Sequence, residues 1–227
     1  MAETLLAELL ERNDRHTTTL EDDHFSEVKD GQHPPVVAMC CPDSRVPQTA
    51  MWDVDRPGWL FTPSTIGNQV WDRVDGERVI DGSVQYPVAF TGTGVVCVVG
   101  HTDCGAVSAA LEAARDEGEP APTGVEKWIR LLTPVIEAGL ADDRVDSDAD
   151  APLVDQLAEY NVDRQVAFLR ERLDADVTVY GFMYDFHGTY GDTDGRAYLV
   201  NADGTSDPET LRDAVPAHAT EYVRRLL

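Results

Sequence analysis

Lysine is almost missing from this chain: of 227 residues only Lys29 and Lys127 are lysines, and the other basic positions are arginines. Basic charge as a whole is scarce, with 18 Lys and Arg against 42 Asp and Glu, a formal net charge of −24. A surface of that sign repels phosphate, which excludes nucleic acid as its partner. The surplus also pushes a compact chain apart unless salt screens it. At about 1 M salt the Debye length is ~3 Å, so a salt-rich cytoplasm would remove most of that repulsion. Acid surplus with lysine scarcity resembles the composition of halophilic archaeal proteins. No run approaches the roughly 18 consecutive apolar residues of a membrane span. The opening MAETLLAELLERND has neither a basic n-region nor a small-residue cleavage site, so the expected location is cytoplasmic. Linker-like stretches and internal repeats are also lacking. The expectation is one domain over residues 1–227, with about 1–30 as an N-terminal helical arm. Cysteine is sparse, at positions 40, 41, 97 and 104. Cytosolic thiols stay reduced, and the adjacent Cys40 and Cys41 would point to opposite faces of a strand. Metal binding by a subset is therefore expected rather than disulfides.

What is present is an alternation of apolar runs and amphipathic stretches, with 42% hydrophobic residues, enough for a core. Residues 3–12 carry apolar residues at helical spacing and predict a short amphipathic helix. Residues 13–33 are polar and hold three of the six histidines without metal-like spacing, so they read as a solvated connection. Four apolar runs read as buried strands, at 35–39, 58–62, 94–99 and 176–184. Helical patterns fall at about 81–91, 105–116, 124–139, 151–173 and 208–226, with Asp81 as an N-cap. Residues 140–152 form an acidic, solvated loop. Strands alternating with helices predict an α/β fold with a mostly parallel sheet core flanked by helices on both faces.

Two segments follow predicted strands directly. Cys41-Pro-Asp-Ser-Arg45 comes after 35–39, and His101-Thr-Asp-Cys104-Gly105 comes after 94–99. Ligands of open parallel sheets sit beyond the carboxyl ends of strands, so both segments occupy one sheet edge. Thiolate and imidazole are preferred zinc ligands. Cys41, His101 and Cys104 supply three, and neither Cys40 nor Cys97 is a suitable fourth. Three protein ligands leave a position for water, as catalytic zinc sites do.

These two motifs resemble those of the β-class carbonic anhydrases, C-x-D-S-R followed by H-x-x-C. The resemblance runs from about Gly31 to Gly105 and more weakly to about Tyr190. Gly31-Gln32-His33-Pro34 is similar to the G-Q-x-P segment of plant-type members. Asn161-Val162 and Gly181-Phe-Met-Tyr-Asp185 match later segments. Two positions depart from the family: Ser64-Thr65 replaces its usual Arg-Asn, and Ala106 replaces a glycine after H-x-x-C-G. The first departure bears on substrate preference and dimer contacts.

The resemblance implies zinc-dependent, reversible hydration of carbon dioxide to bicarbonate, with roles carried over residue by residue. Asp43 orients the oxygen nucleophile, and Arg45 holds Asp43 by a bidentate ion pair. Released, Asp43 could become the fourth zinc ligand of a closed, inactive state. Gln32 donates to the developing oxyanion, while Phe61, Ile66 and Tyr86 wall the substrate pocket. Asp103 either positions the His101 loop or caps a helix. His187 and Tyr190 are candidates for proton transfer, with a plain surface role as the alternative for His187. The family's bicarbonate-inhibited subgroup has a tryptophan three residues before the first cysteine. Ala38 stands there instead, which implies an open, plant-type site. The family also implies a homodimer or higher homo-oligomer, with the N-terminal helix around a neighbour and Gln32 serving the partner's site. Alternatives on the same residues are a carbonyl sulfide or carbon disulfide hydrolase, and a non-catalytic zinc protein.

Overall fold

The structure is a computed structural model that describes residues 2–227. Strands β1 (Val36–Cys40), β2 (Leu60–Phe61), β5 (Val95–His101), β6 (Thr178–Asp185) and β7 (Arg196–Ala202) form one sheet in the order β2-β1-β5-β6-β7. The first three pairings are parallel, and β7 runs antiparallel to β6 at the edge. Helices α1 (Ala2–Thr19), α2 (Gly82–Thr91), α3 (Gly105–Ala114), α4 (Thr123–Leu140), α5 (Leu153–Arg170) and α6 (Pro208–Asp213) complete the α/β fold.

The central strands are apolar on both sides because both faces are covered. Val37, Met39, Val96, Val98, Val179 and Met183 meet the apolar faces of α3, α4 and α5 in the main core. The opposite face buries Ala38, Cys40, Cys97 and Val99 under Met51, Trp52 and an aromatic group of Tyr180, Phe182 and Tyr184. Helices α3, α4 and α5 thus gather on one face, while the other is closed by short segments and aromatic side chains. Asp81 caps α2 as expected, accepting from the Ser83 amide at 2.9 Å.

Several elements differ from the sequence expectation. The predicted helix 208–226 is broken into α6 and a 3-10 turn at Ala217–Tyr222, with Pro216 between them. Helix α1 extends beyond residue 12 to Thr19. A hairpin of β3 (Trp71–Val74) and β4 (Glu77–Ile80) was not anticipated. Its turn residues Asp75 and Gly76 both have positive φ, 51° and 88°. An Asp-Gly turn of that kind matches the twist of its flanking strands, so the signal was in the sequence. Strand β7 was likewise missed.

Helix α5 organises the rest of the main face through buried polar groups. The Gln165 carboxamide oxygen accepts from the Val70 amide at 2.9 Å, and Asn161 donates to the Gly67 carbonyl at 3.1 Å. Those bonds hold the 66–70 loop between β2 and β3. The same helix carries Asp155, Glu159 and Asp163 at i, i+4 spacing, all buried. Arg225 answers two of them, lying 3.1 Å from the Glu159 carboxylate and 2.8 Å from that of Asp163. The Tyr190 hydroxyl and the Leu226 amide also donate to Glu159, at 2.7 and 2.9 Å.

Removing one partner of such a buried pair strands the other charge in a dry interior. Arg225→Met, which keeps the apolar stem, is therefore expected to cost about 3–5 kcal/mol in chemical denaturation at fixed salt. A loss below about 1 kcal/mol, the range of exposed pairs, would show that Arg225 is not the counter-charge.

Candidate metal centre

Parallel pairing of β1 with β5, in the register Cys40 to Val99, sets the end of β1 beside His101. Cys41 leaves β1 on the main-core side and Cys40 on the other, as alternation requires. The chain turns after His101 through Asp103, whose backbone is left-handed at φ 52°. Cys104 then stands at the N-cap of α3 in an extended conformation. The ligand atoms of Cys41, His101 and Cys104 all lie within 4.8 Å of one another, and all three residues are buried.

The donor chemistry fits a soft divalent metal. His101 Nδ1 lies 2.9 Å from the Thr102 carbonyl, which can only accept, so Nδ1 carries the proton. Nε2 is thereby a lone-pair donor, and it is buried with no hydrogen-bond partner. A buried acceptor left unmatched costs free energy that a bound cation would recover. The Gly67 amide lies beside the Cys41 sulfur and favours its thiolate. The Ala106 and Val107 amides, at the start of α3, lie beside the Cys104 sulfur and favour its thiolate. Cys41 is held well below the usual thiol range, chiefly by the Cys104 thiol, against the effect of burial. Cys104 is pushed up, first by its bond to Cys41 and then by burial. The pair is thus biased toward a thiolate at Cys41, and a bound cation would favour the thiolate at both.

Asp43 and Arg45 form a second tier. The Arg45 backbone N–H and Nε donate to Asp43 Oδ1 at 2.9 and 3.0 Å, and Nη2 donates to Oδ2 at 2.8 Å. Arg45 accordingly pulls Asp43 down to about 2. Asp43 Oδ2 is 3.8 Å from His101 Nε2. The far side of the guanidinium is bonded to Asp103, to its carboxylate at 2.9 Å and its carbonyl at 3.0 Å. Arg45 also stacks on Phe186 at 4.7 Å. Asp103 therefore does not cap α3; it anchors Arg45.

Sequence reasoning missed the residue that fixes Asp103. Asp155, on α5, accepts the Asp103 amide at 2.7 Å through Oδ1 and the Thr189 hydroxyl at 2.8 Å through Oδ2. Its only sequence signal was a carboxylate on the inner face of an amphipathic helix. The proton-transfer candidates separate. His187 Nδ1 reaches the Thr102 hydroxyl at 3.1 Å, whereas Tyr190 is buried with its hydroxyl on Glu159.

The expected pocket residues are only partly assembled. Ile66 packs half-buried against the main core. Phe61 ends β2, with its ring 6.1 Å from that of Tyr86, which in turn lies 5.6 Å from Phe90. Tyr86 and Phe90 are solvent-exposed, at 43% and 77%. Gln32 is exposed at the opposite edge of the sheet, in a hollow with Phe25, Gly58 and Leu60. The five residues of β1 alone separate the two edges by roughly 16 Å at 3.3 Å per residue. Within one chain Gln32 does not join the metal ligands. Ser64-Thr65 extends the β2 edge along β1: Thr65 N donates to the Cys40 carbonyl at 3.1 Å, and its hydroxyl donates to the Gln69 carbonyl at 2.8 Å.

Asp155→Ala removes the buried acceptor of the half-buried bond from the Asp103 amide, a loss of about 1 kcal/mol. Exchange of the Asp103 amide should speed up by ~10-fold or more, read by hydrogen–deuterium exchange. Asp155→Asn keeps an acceptor oxygen and should stay near the parent. Equal protection of Asp103 in the parent and in Asp155→Ala would remove Asp155 from this role.

The carbonic anhydrase family model matches residues 36–190. Carbonic anhydrase 2 of Mycobacterium tuberculosis is 30% identical over 179 residues, covering 78% of this chain and 79% of that protein. The β-carbonic anhydrase CafA of Aspergillus fumigatus has a similar structure, with TM-score 0.69 and 24% identity, covering 96% of this chain and 98% of that one. One of two β-carbonic anhydrases of Sordaria macrospora described as tetrameric gives TM-score 0.66 at 21% identity, over 88% and 98% of the two chains. The chain belongs to the carbonic anhydrase family, with the β-class fold and a Cys-His-Cys group suited to that class's zinc.

Proposed function

We propose that this protein catalyses the reversible hydration of carbon dioxide to bicarbonate and a proton, with zinc held by Cys41, His101 and Cys104. The observation that carries this reading is Asp43, clamped by Arg45 with Oδ2 3.8 Å from His101 Nε2. A structural zinc site has no use for such a group. Zinc, when bound, lowers the pKa of water toward about 7 and so supplies an oxygen nucleophile at neutral pH. Asp43 stays ionised throughout that range and can only accept a hydrogen bond. Its Oδ1 takes two bonds from Arg45, but Oδ2 takes only one, which leaves a lone pair on the oxygen nearer His101. That lone pair can take the nucleophile's proton in a hydrogen bond and aim its other lone pairs at carbon dioxide. Arg45, bonded on both sides, keeps the carboxylate from turning.

The open state is part of the proposal. Asp43 lies outside the three-donor cluster. Ala38 is fully buried against Cys97 and Tyr184, where the bicarbonate-inhibited subgroup has tryptophan. A single-domain, homo-oligomeric enzyme fits the remaining features. Gln32 lies away from its own chain's cluster and is free to complete a neighbour's. The exposed Tyr86 and Phe90, and Leu5, Leu6, Leu9 and Leu10 of α1, are apolar surface for a second copy to cover. The acid surplus supports a halophilic source and a salt-rich cytoplasm.

Stopped-flow carbon dioxide hydration at high salt, with zinc measured on the same sample, tests the reading. Asp43→Asn should keep its zinc and lose turnover by ~100-fold or more, within the range that one positioned acid–base group supplies. Asp43 has its ordinary value lowered to about 2, so its charge is present at every pH above about 4 and is lost only as pH falls through about 2. No activity limb between pH 5 and 9 should trace to it. Full zinc with only background hydration in the parent would sink the proposal.

The salt reading has its own test. The thermal midpoint should rise steadily from dilute buffer to about 1 M potassium chloride, as the Debye length shrinks to ~3 Å. A midpoint that is flat or falling would count against a halophilic source.

A further inference from the structure

We propose that the cavity between the β3–β4 hairpin and helices α4 and α5 binds a small oxyanion of the phosphate or sulfate kind. The cavity has a volume of about 150 Å³, and Trp71, Arg78, Arg164, Phe168, Glu171 and Arg172 line it. Three guanidiniums against one carboxylate give its lining a formal charge of +2, in a chain whose total is −24. Cations converge here even though carboxylates are plentiful elsewhere.

The one carboxylate does not neutralise them. Glu171 is largely exposed and pairs with Arg172 at 2.9 Å. Arg172 also donates to the Phe168 carbonyl at 3.2 Å and stacks over that ring at 3.9 Å. Arg78 stacks on Trp71 at 4.8 Å. Neither Arg78 nor Arg164 has an ion pair or side-chain hydrogen bond among the described residues. Arg78 is held below the usual arginine range, first by burial and then by repulsion from Arg73, Arg164 and Arg172.

The chemistry of the lining selects the ligand. Guanidinium forks match the oxygen geometry of phosphate, sulfate and carboxylate. A dianion would neutralise the net lining charge. The hollow is small, about 150 Å³, which suits an ion of a few heavy atoms rather than a nucleotide. Arg164 lies nine residues beyond Asp155 on α5, or roughly 13 Å along the helix axis at 1.5 Å per residue. The cavity is therefore distinct from the metal centre.

The zinc-loaded protein should be titrated with inorganic phosphate, with chloride adjusted to hold ionic strength constant, and followed by calorimetry and thermal midpoint. Saturable binding and a rising midpoint are expected for the parent. Arg78→Gln and Arg164→Gln should each weaken binding at least 10-fold. Arg12→Gln, at an exposed arginine paired with Glu8, should leave it unchanged. Arg78 and Arg164 have no ion pair or hydrogen bond to lose among the described residues, and Arg78 loses only its stacking on Trp71, so both variants should fold, which circular dichroism checks. Three results would overturn the site: no saturation in the parent, equal affinity in the Arg78 and Arg164 variants, or a response that chloride alone reproduces. A pocket filled by the acidic surface of a second copy would also overturn it. In that case phosphate would dissociate oligomers instead of stabilising the folded chain.

Discussion

The parallel pairing of β1 with β5 is the contact on which the functional reading rests. It brings the end of one strand beside the end of the other, and so sets Cys41 against His101 and Cys104 although a long stretch of chain lies between them. A slip of one residue in that pairing would exchange Cys40 for Cys41 at the sheet edge. Cys40 faces the opposite core, where burial and its neighbours Cys97 and Cys41 hold its thiol far above the usual range. A neutral thiol of that kind is an inert hydrophobe, whereas Cys41 sits among donors that favour a thiolate. The two adjacent cysteines thus differ in chemistry only because the strand alternates, and register turns sequence position into reactivity.

The acid surplus makes the placement of each arginine consequential. Arg45 joins Asp43 to Asp103, and Arg225 joins Glu159 to Asp163, in each case where two carboxylates would otherwise repel. Helix α5 links these sites. Asp155 near its start holds the loop that anchors Arg45, and Glu159 one turn later takes the Arg225 guanidinium and the Tyr190 hydroxyl. Thr189 and Tyr190, adjacent in sequence, bind neighbouring carboxylates of this column. A buried acidic ridge on one helix therefore ties the metal-site loop and the segment after β6 to the C-terminal residues.

How far the sequence could be read followed the range of the interactions involved. The apolar β-branched run at 94–99 and the motif after it needed only strand length and ligand spacing, and both appear where expected. Helix 208–226 failed because the pattern alone gave too little weight to Pro216. The β3–β4 hairpin had an Asp-Gly turn in plain view, but its strands are four residues long and weakly apolar. Asp155 was illegible for a different reason. A carboxylate on a helix means little until folding reveals which amide it meets, here one 52 residues earlier in the chain. Gln32 illustrates the converse, since its motif was legible while its place in the fold was not.

The Ser64-Thr65 departure sharpens what the site needs. In the family these positions carry a charged and an amide side chain near the pocket; here Ser64 meets the Gln48 side chain and Thr65 serves the backbone. Thr65 donates to the carbonyls of Cys40 and Gln69, and the segment delivers the Gly67 amide to the Cys41 sulfur. Asn161, reaching from α5, holds the Gly67 carbonyl from the other side. The peptide beside the first metal ligand is thus fixed from both directions without the arginine. Ser64, which stands where the family has that arginine, accepts from Gln48 Nε2 through its hydroxyl, so the position is tied to the segment that follows Arg45 by a neutral bond in place of a charge.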